Sequence, residues 1–187
     1  MQSAQFQVHD AVERSHWWFV ARRAIVVPAH AGKNIVDIGC GTGGNLAELA
    51  AEYHCTGIDP SEDAIRLARA RFPEIPFVCG EAPADLEGLA QTTDLCLMMD
   101  VLEHVPDDFR LFSELLAEAR PGAHFLITVP ADMALWSPHD EAFGHFRRYD
   151  RLRLSAIWKG LPVRPRLVSY FNSRLYPLVK CIRGRNR

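Results

Sequence analysis

Apolar residues fall along this chain in short runs, each closed by glycine, proline or an acidic residue. The runs alternate with longer stretches of helical period. The pattern predicts strands over 34–39, 55–59, 77–79, 94–99 and 123–129. Helices are expected over 8–27, 43–53, 62–72 and 107–119, with Pro28 and the Pro121-Gly122 pair as stops. The strands are apolar at consecutive positions, as strands covered on both faces are. Alternation of such strands with helices defines an α/β fold: a Rossmann-like, doubly wound, mostly parallel sheet with helices on both faces. Beyond Pro130 the pattern weakens to an insertion over 131–150, a helix over 151–159, a sixth strand over 163–170, and a tail over 172–187 that reads as no element.

In an open parallel sheet, ligands bind beyond the carboxyl ends of the strands. That rule places Gly39, Asp59, Glu81, Asp100 and Pro130 on one rim although they are scattered in sequence. The first strand runs into Gly39, Cys40, Gly41, Thr42, Gly43 and Gly44, where glycines let the backbone turn tightly and approach a bulky ligand. Gly39, Gly41 and Gly44 satisfy G-x-G-x-x-G, so the spacing alone leaves a dinucleotide and other nucleotide-like cofactors open. Two carboxylates narrow the choice. Asp37 lies inside the first strand, where a dinucleotide strand usually carries an apolar residue. Asp59 ends the second strand, where it can accept from ribose hydroxyls. Pro60 and Ser61 follow as a turn and a helix N-cap.

The runs VDIGCGTGGNLAELA, GIDPSEDAIRLARAR and DLCLMMDVLEHVPDD together resemble class I S-adenosylmethionine-dependent methyltransferases, in particular the small-molecule branch that includes the ubiquinone-pathway O-methyltransferases. The resemblance covers 34–130 and implies S-adenosylmethionine as cofactor and S-adenosylhomocysteine as product. It implies that 39–43 lie against the methionine and ribose portions, with Asp37 at the methionine end and Asp59 on the ribose. Glu81 would meet the adenine amine, with Ala82 adding a backbone contact. Asp100 and Val101 would line the floor under the methyl group, and His104 would be a candidate general base. The segment 100–104 stands where nucleobase amino-methyltransferases carry N/D-P-P-Y, which argues against base methylation. Methyltransferases of this fold end in an antiparallel hairpin, and one strand over 163–170 leaves that hairpin incomplete.

Just past the fifth strand, His139, Asp140, His145, Arg147, Arg148 and Tyr149 crowd into the insertion. His139 or His145 could pair with Asp140 as base and orienter. Arg147 and Arg148 could hold an anionic acceptor, with Tyr149 beside them, or the whole cluster could be an ion-paired loop. His139, Asp140 and His145 could suggest a metal, but their spacing is unspecific and the resembled family needs none in its core, so no metal is assigned. Trp17 and Trp18, in the first helix, are candidates to cover the substrate.

The 187 residues suffice for a single domain: a helical cap over 1–33, a cofactor-binding core over 34–130 and a substrate side over 131–187. No apolar run is long enough to span a bilayer and the start lacks a signal core, so a cytoplasmic protein is expected. Five cysteines without C-x-x-C spacing indicate neither a disulfide framework nor zinc. The net charge of −2 conceals a split, with 9 Lys+Arg against 22 Asp+Glu over 1–145 and 12 against 1 over 146–187. The basic quarter could pair with the acidic body, touch an anionic membrane surface weakly, or bind nucleic acid, the last disfavoured by segment 100–104. A small-molecule or glycan acceptor, and a monomer or homodimer, complete the expectation. An RNA methyltransferase and an NAD-dependent oxidoreductase are the alternative readings.

Overall fold

A computed structural model of the chain describes residues 34–170 and 173–185. The helix expected over 8–27, and with it Trp17 and Trp18, lies outside the described residues. The described residues divide into two compact units, one of 34–101 and Glu114–Thr128, the other of Leu102–Ser113 and the residues described after Thr128.

The first unit holds five parallel strands in the order β3-β2-β1-β4-β5: β1 (Asn34–Ile38), β2 (His54–Asp59), β3 (Phe77–Cys79), β4 (Leu95–Met99) and β5 (His124–Thr128). Chain order reverses between β1 and β4, which makes the gap beyond their carboxyl ends the topological switch point. All five residues of β4 are buried, which accounts for its unbroken apolar run. On one face Ile35, Cys55, Phe77, Leu95, Leu97 and Met99 pack with Ile65 and Ala68 of helix α1 (Glu62–Arg71) and with its C-cap, Phe72. On the other, Val36, Ile38, Cys96 and Met98 are buried too. Ser61 caps α1 through a hydrogen bond from the Ala64 N–H, and Glu62 and Asp63 lie in the first turn, where the helix dipole favours acid. A short helix α2 (Leu89–Thr92), which the sequence reading did not anticipate, precedes β4.

The helix expected over 43–53 is not formed. Successive turns replace it, ending in a 3₁₀ turn at Leu49–Ala51, with contacts such as Gly43 N–H to Cys40 O (3.0 Å) and Leu46 N–H to Gly43 O (3.1 Å). Gly43 has φ +81° and is followed by Gly44 and Asn45, three poor helix formers at the start of the segment, and tight turns win over a regular helix there.

Helix α3 (Asp108–Glu118) occupies most of the stretch expected between the fourth and fifth strands. In the second unit the insertion over 131–150 contains a 3₁₀ turn (Met133–Leu135) and helix α4 (Pro138–Ala142), followed by α5 (Arg151–Ala156). The sixth strand expected over 163–170 does not form, because Pro162 and Pro165 remove ladder donors and most of the segment is exposed. The tail that reads as no element carries helix α6 (Tyr176–Arg185).

Candidate functional site

At the carboxyl end of β1 the chain turns through Gly39, Gly41 and Gly43, all at positive φ (+67°, +54° and +81°). A Cβ on Gly39 would come within 2.7 Å of the Val101 Cγ2, so this glycine is what lets the tips of β1 and β4 approach each other. At Gly41 a Cβ would meet nothing within 4 Å, so the turn presents open backbone at that point. Two bonds from the Gly39 and Cys40 N–H groups to Ile58 O, at 2.8 and 3.1 Å, hold the turn against the end of β2.

Asp59 is the hinge of this arrangement. One carboxylate oxygen accepts from the Gly41 N–H and the other from the Ser61 N–H, each at 2.9 Å. Burial pushes the carboxyl above its usual range, and the two backbone donors pull against that shift. A buried anion held mainly by two N–H groups still has lone pairs to offer to further donors such as vicinal hydroxyls. Asp37 is fully buried in the middle of β1, with Asn45 Nδ2 donating to its Oδ2 at 3.3 Å. Thr42 is buried and accepts from Arg71 Nη1 through both its carbonyl and its hydroxyl (3.2 and 3.0 Å). Asp100 follows β4 at φ +57°, a left-handed conformation uncommon outside glycine. Its N–H donates to Thr128 O at 2.9 Å, and its carboxylate accepts from the Thr128 hydroxyl at 3.2 Å. Beyond β3, Glu81 is exposed and its N–H donates to the Asp85 carboxylate at 2.8 Å, which orders the turn carrying Ala82.

The second unit gathers the other candidates. Asp140 is fully buried; its Oδ1 accepts from Arg148 Nε at 2.8 Å and lies 3.0 Å from His145 Nδ1, and its Oδ2 accepts from the Ser137 N–H and hydroxyl at 2.9 and 3.0 Å. Burial works to raise the Asp140 pKa, but Arg148 and Ser137 outweigh it and hold the carboxyl below the usual range. Of the two histidines weighed as its partner, His145 takes the position, while His139 stacks against Phe143 with ring centroids 4.2 Å apart. His104, in a 3₁₀ turn (Leu102–His104), meets His145 edge to face at 4.6 Å. Arg147 pairs with Asp108 (3.0 Å) and donates to Pro106 O (2.6 Å), and Tyr149 donates to Asp108 at 2.7 Å. Arg147 and Arg148 are each only 7% exposed, so the structure commits both to carboxylates of this chain.

Sequence reasoning passed over Asn45, Thr128 and Asp108, and took Glu103 only as part of the floor segment 100–104, where it is 1% exposed. The roles of Thr128 and Asp108 depend on partners distant in sequence, and nothing local marks them.

The profile of the methyltransferase-domain family matches residues 16–174, and the chain belongs to that family. This bears out the class I resemblance carried by the glycine turn and the runs over 57–71 and 94–108. A norajmaline N-methyltransferase of Rauvolfia serpentina is 34% identical over 108 residues, 54% of this chain and 37% of that protein. A ubiquinone biosynthesis O-methyltransferase of Coxiella burnetii is 36% identical over 96 residues, 49% of this chain and 41% of that protein. The chain thus spans less than half the length of these curated relatives. The crystal structure of a SAM-dependent methyltransferase from Archaeoglobus fulgidus has the same fold, with TM-score 0.70 and 20% identity over 97% of this chain and 90% of that one.

Proposed function

We propose that this chain transfers a methyl group from S-adenosylmethionine to a small-molecule acceptor, with oxygen the favoured atom. The observation that carries the reading is the pinned glycine turn: open backbone at Gly41, fastened to a buried Asp59 that can take further hydrogen bonds. These residues fit a sulfonium nucleoside. Asp59 would receive the ribose hydroxyls, the open backbone around Gly41 would lie against the methionine and ribose portions, Asp37 would serve the ammonium end, and Glu81 with Ala82 the adenine. Asp100 and Val101 would line the floor. When bound, the cofactor supplies an activated methyl group, so the main task of the chain is alignment of an acceptor with it, which can lower a barrier by several kcal/mol.

The names of the relatives include both an O- and an N-methyltransferase and support a small-molecule acceptor without choosing the atom. Where the acceptor must lose a proton, His104 and His145 are the imidazoles available in the second unit, the latter oriented by Asp140.

Calorimetry with S-adenosylhomocysteine and with NAD tests the first half of the reading. Micromolar binding of the former and none of the latter is expected, and the reverse result would return the G-x-G-x-x-G turn to a dinucleotide. Transfer of labelled methyl to a panel of phenol, carboxylate, amine and glycan acceptors tests the second half. Transfer to RNA alone would overturn it.

A further inference from the structure

Glu103, His104 and His145 each present one ligand atom, and these three atoms lie within 4.8 Å of one another. Three tetrahedral ligands about 2.1 Å from one ion lie about 3.4 Å from one another, so each of the three atoms needs to move inward by about 0.8 Å to share a common centre. The His104 and His145 rings already neighbour each other edge to face, with centroids 4.6 Å apart and planes at 85°.

The surroundings are built to hold this geometry. His145 Nδ1 sits 3.0 Å from Asp140 Oδ1, and since a carboxylate accepts, Nδ1 carries the hydrogen and the Nε2 lone pair is left for a ligand. A carboxylate behind a histidine is the arrangement that orients imidazoles at metal centres. Asp140 is in turn fixed by Arg148 and Ser137. The Phe146 N–H donates to Glu103 O at 2.7 Å, which ties the segment next to His145 to the turn carrying the other two ligands. Arg147 reinforces the tie through Pro106 O and Asp108.

We propose that Glu103, His104 and His145 form a divalent-cation site. Two imidazoles and one carboxylate suit a borderline transition metal, with zinc as the probe of choice, and three protein ligands leave a coordination position for water or for an acceptor's hydroxyl or carboxylate oxygen. With the ion bound, the two histidines are ligands, not bases, and an oxygen on the ion loses its proton to solvent more readily under the added charge. The inference stands on side chains of the second unit and does not depend on the identity of the methyl donor.

The test is titration of the chelator-treated full chain with Zn²⁺ by calorimetry, followed by Co²⁺ absorption. One Zn²⁺ per chain at micromolar affinity is expected. The Co²⁺ complex should show visible ligand-field bands without the near-ultraviolet charge-transfer band of a thiolate. His104→Ala and His145→Ala should each weaken Zn²⁺ at least about 100-fold, and Asp140→Asn, a positioning variant, about 10–100-fold. His104→Ala makes the test independent of the buried Asp140 network, and circular dichroism checks that each variant is folded. His54→Ala should leave binding as it is. The proposal is overturned by binding weaker than millimolar, by a thiolate band, by unchanged affinity in folded His104→Ala, or by a loss that follows substitution of His9, His16 or His30 instead.

Discussion

Gly39 makes two demands that only glycine meets together, a φ of +67° and a Cβ position 2.7 Å from Val101. Gly39→Ala should therefore cost about 1–2 kcal/mol for the left-handed backbone alone, and more for the contact. Its thermal midpoint should fall and its affinity for S-adenosylhomocysteine should drop at least about 10-fold. Val101→Ala in the same chain removes the contact but not the φ cost, so the double variant should regain part of the loss and not all of it. Wild-type affinity in Gly39→Ala would show that the turn does not have to be this tight. This residue was legible because turn glycines are local: their spacing after an apolar strand carries the message. Asp59 was legible for the same reason, as the last residue of an apolar run before Pro60 and Ser61. The commitments of Arg147 and Arg148 were not. In sequence they are two basic residues in an insertion; only folding brings Asp108 and Asp140 against them.

At the scale of elements, the segment after β5 is held by carboxylates where an α/β core would use apolar packing. Asp108 takes Arg147 and the Tyr149 hydroxyl together, and although burial raises its pKa, those partners hold the carboxyl below its ordinary value. A depressed carboxylate pKa contributes stability that is present above the unfolded value near ~3.9 and is lost as pH falls through the folded value. Asp108→Asn should therefore cost roughly 2–4 kcal/mol at neutral pH, because it leaves a nearly buried guanidinium without its charge partner. The difference from wild type should shrink as pH falls below the unfolded value and through the lower folded one. Urea unfolding of both proteins at several pH values measures this, and a gap that stays constant with pH would assign the effect to packing. The five core strands and the helices capped by Ser61 and Asp150 were read correctly because period and cap chemistry are local, as Asp150 shows by accepting the Arg153 N–H at 2.7 Å to start α5; the capped helix α4 was missed inside the segment read as an insertion. The helix over 43–53 and the strand over 163–170 do not form because Gly43-Gly44-Asn45 in one, and Pro165 with Pro162 just before it in the other, outweigh the apolar count.

Across the whole chain the net charge of −2 is a poor guide to its behaviour at charged surfaces, because residues 146–187 carry 12 basic groups against one acidic. Part of this excess is spent internally, since Arg147 and Arg148 face Asp108 and Asp140. Arg153, Arg164, Arg166, Arg174 and Lys180 are exposed, and α6 also exposes Leu178 and Ile182. A charge cluster acts at a surface within about 10 Å at 0.1 M salt, so a polyanion senses the cluster before it senses the average. Retention on a sulfonate cation exchanger at pH 7.5 and low salt is therefore expected despite a sequence pI near 6.4. Elution should come early in a salt gradient, and replacement of Arg164, Arg166 and Arg174 by glutamine should move the chain to the flow-through. Vesicles sort the contribution of α6: binding to anionic but not neutral lipid, lost in moderate salt, is the outcome expected of basic residues with a few apolar side chains. Salt-resistant binding to neutral lipid would mean that Leu178 and Ile182 dominate. Flow-through of the unmodified chain would mean that the basic groups are neutralised within the fold, including those without an ion pair among the described residues.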